Sequence, residues 1–245
     1  MSHDPIDVTT DFQEDSGRRD PDLYSPLLQS YHQRLWSKPL PNGQVFDLTP
    51  EKVGAARVLR HRSALGDFVL SSDTLANSSR GALPAFYAAM GTESNQLWHL
   101  RGGAIGGRLV FPRNRVDGKQ TINQARGTHP RIRDRFDLTL EAIRRHYAGE
   151  PHPLSGTFAT YSGFFSLFGS FAGYVEFFLL QDLVEDGTVK FYGPFDEFTG
   201  PVLPSTLPSY EEFRNRQLEF VAARNQRILA RVRREISTER EPETP

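Results

Sequence analysis

Apolar residues recur at helical spacing in several separate stretches of the chain. Ile132, Phe136, Leu140, Ile143 and Tyr147 fall at intervals of 4, 4, 3 and 4, which is one face of an α-helix. Thr128 and Pro130 precede this run as a cap and a first-turn proline, and Gly149 and Pro151 close it. Ser25-Pro26 opens a second predicted helix to about Trp36, with Leu28, Tyr31 and Leu35 on its stripe. A third runs from Tyr210 to about Ile236, behind a capping-box pattern of Ser209 and Glu212. Phe164 to Phe168 and Phe171 to Val184 are apolar almost all round and read as core helices. Leu83 to Met90 has room for one or two helical turns.

Strand signals are shorter. Ile6 to Phe12 alternates as an edge strand would. Val45 to Leu48, Phe68 to Leu70 and Thr188 to Tyr192 are further candidates. Gln96 to Arg101 and Ile105 to Phe111 read as a hairpin about Gly102-Gly103. Ser71 to Ser79 reads as a polar loop or short helix. The pattern predicts an α+β fold: a small antiparallel sheet packed with several helices and ending on a long C-terminal helix. The expected organisation is a flexible N-terminal tail at 1–5, a single domain at 6–237 and a disordered C-terminal tail at 238–245.

Composition narrows the chemistry. At 245 residues, 38% hydrophobic and 24% charged, the chain buries a sizeable core without staples. It has no cysteine, which excludes disulfides, thiolate metal sites and a cysteine nucleophile. Gly163 to Leu180 is nearly uncharged, but Gly169, Ser170, Gly173 and Glu176 interrupt it, so a buried helix is expected rather than a membrane span. The opening Met1-Ser2-His3-Asp4-Pro5 lacks the pattern of a secretory leader, and a cytoplasmic location is expected.

The net charge of −1 hides an uneven distribution. Residues 101–147 hold ten Arg and Lys119 against four acids, or +7. Residues 151–213 hold eight acids against Lys190, or −7. Either an anionic ligand faces the basic segment or the two segments pair in the fold.

Few motifs rise above this. Gly102 to Arg108 lacks the Lys and Ser/Thr of a phosphate-binding loop. The histidines have no zinc spacing, so no metal site is expected, and the sequence names no cofactor. The basic segment is the lead. Arg113 and Arg115 share a loop, Asn123 and Arg126 precede the predicted helix, and Arg131, Arg133 and Arg135 fall in its first turns. Cations there oppose the helix dipole unless something negative offsets them. The candidate ligand-binding residues are Arg113, Arg115, Asn123, Arg126, Arg131 and Arg135. Asp137 and Glu141 are the candidate acid–base pair. The competing reading of Asp134, Asp137 and Glu141 is a solvated face paired with Arg133 and Arg145. The Arg run from Arg224 to Arg234 reads as a solvated helix end.

The strings Ile105–Pro112, Thr121–Gly127 and Asp134–Glu141 resemble a bacterial domain family of unknown function. Leu35–Gly43 and Gly173–Leu183 extend the resemblance, which covers about Ile6 to Arg227. It implies a single stand-alone domain and carries over no activity. The expected function is binding of a phosphate-bearing ligand, a nucleotide or nucleic acid, at the basic segment, with processing of that ligand left open. The alternative is a non-catalytic protein docking an acidic protein partner. No membrane partner is expected.

Overall fold

The computed structural model describes residues 6–240. The expected N-terminal tail, 1–5, and residues 241–245 lie outside them. Three helices come first: α1 (Phe12–Asp15), α2 (Pro21–Tyr24) and α3 (Pro26–Trp36). Ser25 caps α3, accepting from Leu28 N at 3.0 Å, and Pro26 takes the first helical position, as its sequence signals require. The predicted strand over Ile6 to Phe12 does not form. Asp7 and Asp11 fold the backbone back on itself instead, through Thr9 and through the cap of α1.

The chain continues through β1 (Lys38–Pro39), β2 (Val45–Phe46), β3 (Thr49–Val53), β4 (Ala56–Ser63) and β5 (Gly66–Thr74). Then come α4 (Pro84–Ala89), α5 (Thr92–Gly102) and β6 (Arg108–Pro112). Strands β3-β4-β5-β6 form one antiparallel sheet in sequence order. Charged residues conceal β3 and β4 from pattern reading. Glu51, Arg60, Arg62 and Asp67 form a cross-strand ion-pair ladder that offsets their polarity.

The predicted hairpin at Gly102-Gly103 is wrong. Gln96 to Arg101 is helical in α5, where Asn95, Trp98 and Gly102 make the buried stripe. β6 pairs with β5 instead. The glycines Gly106 and Gly107 serve close packing. A Cβ on Gly106 would lie 2.3 Å from Asn225 Oδ1, and one on Gly107 would lie 1.9 Å from the Gly102 carbonyl.

Next are α6 (Ile122–Thr128), α7 (Phe136–Ala148), α8 (Ser155–Thr160), α9 (Ser162–Ser166) and α10 (Phe171–Phe177). The predicted face of α7 is in phase: Ile132, Phe136, Leu140 and Ile143 are buried and Tyr147 is partly so. Gly149 ends the helix in the left-handed region at φ 69°. Its start lies later than predicted, because Arg133 and Asp134 take left-handed φ of 50° and 60° and break the chain before Phe136. Likewise α10 stops at Phe177, since Leu179 turns to φ 56°. Trp36, Phe46, Phe168, Tyr174, Phe177 and Phe178 pack as one aromatic cluster.

A short hairpin of β7 (Val184–Glu185) and β8 (Thr188–Val189) follows, then a proline-rich loop, then α11 (Leu207–Arg240). Its capping box is Thr206 with Ser209, one turn before the predicted Ser209–Glu212 pair, at 3.3 and 3.1 Å. The α11 backbone stays helical to Arg240, three residues into the segment expected to be a disordered tail. Among the described residues no helix is long and apolar enough to cross a membrane.

Candidate functional site

Arg126 lies inside α6, not ahead of a helix as predicted. Thr121 and Gln124 close a capping box at 3.3 and 3.2 Å, which starts the helix four residues before Arg126. The Arg126 side chain turns inward and is fully buried. Its guanidinium meets Asp73 at 2.6 Å and Asp134 at 3.2 Å, and donates to Thr139 Oγ1 at 3.2 Å. Burial works to lower its pKa, but the Asp134 and Asp73 carboxylates outweigh this and hold it above the ordinary arginine value. Asp134 is pushed up by burial and by Asp73, because two carboxylates share one guanidinium.

Arg135 is also buried. It makes a forked pair with Asp137, with Nε at 3.1 Å, and donates to the carbonyls of Gly193, Pro194 and Val202. Asp137 accepts a third bond from Tyr192 N at 2.8 Å. Glu141 takes Arg144 bidentately at 2.8 and 2.9 Å and Arg145 at 2.8 Å. Asp137 and Glu141 therefore do not form the solvated face considered from sequence. Both are buried in arginine forks, and Asp137 accepts three hydrogen bonds from within the protein, so the pair is not arranged as an acid and base facing a common substrate. Arg133 is not the partner of Asp137.

The two oppositely charged segments do pair in part. Arg145 bridges to Glu197, and Arg131 and Arg135 donate to carbonyls between Gly193 and Val202. The anion expected at Arg126 and Arg135 is thus the protein itself.

The remaining sequence candidates face outward. Arg115 and Arg131 are exposed; Arg113 and Asn123 are half-buried. Lys119 and Arg133, both exposed, extend the set. Gln120 donates to Thr128 Oγ1 at 3.5 Å, which lays the end of the basic loop against the end of α6, near Arg131. The loop is held by Asn114, which accepts from Val69 N at 3.1 Å and donates to the Asp67 carbonyl at 3.3 Å.

Among the described residues, clefts open elsewhere. One of about 620 Å³ is lined by Glu141, Arg144, Arg145, Glu150, Phe195 and Glu197, whose charges pair with one another. One of about 450 Å³ carries Lys190, Tyr192, Arg216 and Glu219. One of about 410 Å³ lies between Arg80, Tyr87 and Asn95. The fourth, about 500 Å³, lies between β1 and α10 and contains Lys38, Glu176 and Arg231. Sequence reasoning missed Lys38 and also Arg224, which is buried within α11 rather than on a solvated helix end. Nothing in the residue types marks either as buried. The one available signal was that Leu35–Gly43 and Gly173–Leu183, two strings of the resemblance, meet at the fourth cleft.

Among the described residues no group of three His, Cys, Asp or Glu side chains is placed to hold a metal ion. The profile of a family of unknown function, DUF6994, matches residues 6–228. The chain belongs to that family. No curated protein and no solved structure matches it. The DUF6994 match spans α1 through most of α11, so it takes in the buried arginine network, the basic loop and the Lys38 cleft alike.

Proposed function

We propose that this DUF6994 protein binds the phosphate backbone of a nucleic-acid strand on the outward cationic surface of residues 113–133. One observation carries the reading. Arg113, Arg115, Lys119, Arg131 and Arg133 enter no ion pair among the described residues, whereas their neighbours Arg126 and Arg135 are fully matched inside. The buried pair sets α6 and α7 in place, and the cations without a carboxylate partner are what the surface offers to a partner. None of the four clefts is lined by these five residues. A mononucleotide needs a concave site, whereas a strand presents repeated phosphates to an open surface. Asn123 is half-buried beside them, but its side-chain oxygen is itself buried and unpartnered, so the cations and not Asn123 carry the contact. With Asp137 and Glu141 locked in arginine pairs, the activity on this surface is binding without turnover.

Fluorescence anisotropy with a labelled single-stranded RNA, its duplex, ATP and poly-glutamate tests the reading. RNA should bind with Kd of about 10⁻⁴–10⁻⁶ M, and its log affinity should fall against log salt with a slope of about −3.5 for five contacts. Combined Arg115→Glu, Lys119→Glu and Arg133→Glu should weaken it at least tenfold. Binding of poly-glutamate but not RNA would replace this reading with an acidic protein partner. Tight binding of ATP alone would overturn it in favour of a nucleotide pocket.

A further inference from the structure

Lys38 leaves α3 on β1 and points back under the aromatic cluster. Its residue is 8% exposed, and its amine lies 4.3 Å from the Phe177 ring centroid and 5.1 Å from that of Trp36. The amine donates to the Phe177 carbonyl, and no carboxylate pairs with it among the described residues. Burial is the chief cause that lowers its pKa, to about 7. The charged groups facing it come from two helices. From α11, Arg231 and Arg224 lower the value further while Glu235 raises it; from α10, Glu176 raises it. A buried lysine carries a desolvation cost that a methionine filling the same space would not.

The cleft beside it suits a small molecule. Pro39, Leu40, Pro41 and Phe177 supply apolar walls, and Ser170 and Glu176 a polar edge. Arg231 lines the same space, held by Glu235 at 2.8 Å. Lys38, Glu176 and Arg231 therefore line one cavity, and Glu235 occupies the Arg231 Nε, so the terminal guanidinium nitrogens remain for a second carboxylate.

We propose that this cleft takes a small carbonyl compound bearing a carboxylate, an α-keto acid, with Arg231 pairing with the carboxylate and Lys38 forming an imine at the carbonyl carbon. The amine lone pair forms the C–N bond as the C=O π pair moves to oxygen. A proton then passes from nitrogen to that oxygen, giving the carbinolamine. The nitrogen lone pair next forms C=N, the C–O bond breaks, and oxygen leaves as water with the second amine proton. The Glu176 carboxylate, on the cleft wall, is the group at hand to carry these protons. No oxidant or reductant is consumed. The site is separate from the basic surface, and either reading can fail without the other.

The test treats the full chain at pH 7 with glyoxylate and sodium cyanoborohydride, which reduces an imine to a stable secondary amine, and maps the label by peptide mass spectrometry. The chain has four lysines, Lys38, Lys52, Lys119 and Lys190, besides its α-amino group. Lys38 should label at least about tenfold faster than the other three, because an ordinary lysine is almost wholly protonated at this pH. Glyoxylate should also outpace propionaldehyde, which has no carboxylate, at Lys38 but not at Lys52. Arg231→Gln should remove that preference while leaving propionaldehyde labelling in place. Lys38 labelling no faster than Lys52 would overturn the proposal. Equal rates for the two aldehydes at Lys38 would overturn the keto-acid assignment.

Discussion

Around α6 and α7, each fully buried guanidinium meets a carboxylate: Arg126 with Asp73 and Asp134, Arg135 with Asp137. Where α11 packs on α10 and β1, the buried cations meet carbonyls instead. Arg224 donates to Phe178 at 3.0 and 2.9 Å, to Gly106 at 2.8 Å and to Arg108 at 2.7 Å. Lys38 donates to Phe177. Burial penalises the charge in both places. Only the carboxylates return enough to hold a guanidinium above its ordinary value; Arg224 drops to about 9 and Lys38 to about 7. A carbonyl satisfies a donor's geometry but brings a partial charge, so it fixes position without fixing protonation. Arg126 thereby keeps its charge, while the other region holds Lys38, whose amine titrates near neutral pH.

The comparison breaks most readily at Arg126. Arg126→Ala strands Asp73 and Asp134 and should cost roughly 3–5 kcal/mol in urea denaturation. A loss under about 1 kcal/mol would mean that the buried carboxylates find other partners. Arg224→Met leaves carbonyls short of donors but no charge behind, so its cost should be smaller, roughly 1–3 kcal/mol. Equal losses in the two variants would erase the distinction drawn between them.

The pH dependence sharpens it further. The folded pKa of Lys38, about 7, lies below the unfolded value, so the unfolded chain binds more protons between them. Lys38 thus imposes a penalty that is full below pH 7 and fades as pH rises. Wild-type stability relative to Lys38→Met should rise by roughly 2 kcal/mol from pH 7 to pH 9. A flat difference across that range would place the amine in a charge-compensated setting like that of Arg126. The smallest effect belongs to the exposed loop. Arg115→Glu should change stability by less than about 0.5 kcal/mol, since Arg115 is exposed and has no ion pair to lose among the described residues. A larger change in the thermal melt would show that the loop cations belong to the internal network.

Much of the fold was legible in the chain. The α7 face, the Ser25-Pro26 start of α3, the αL glycine at 149 and a long C-terminal helix follow from local spacing and capping chemistry. The failures share a cause. The ladder of Glu51, Arg60, Arg62 and Asp67 hides β3 and β4 because its compensation is cross-strand. Gly102-Gly103 read as a hairpin because the close approach of α11 to Gly106 involves a residue more than a hundred positions away. The site fared likewise. An arginine-rich, carboxylate-poor run was visible, but not which members turn inward.

The sequence by itself determined the helix faces, the segregation of charge into a basic and an acidic stretch, and the absence of cysteine chemistry. These depend on neighbours within a few turns or on counting. Tertiary structure decided which cations are available. Arg126 finds Asp73 53 residues away, Arg224 finds Gly106 at a separation of 118, and Lys38 finds Phe177 at 139. A charged side chain enters a protein interior only where donors and acceptors from distant segments converge on it, and that convergence is a property of the packed fold.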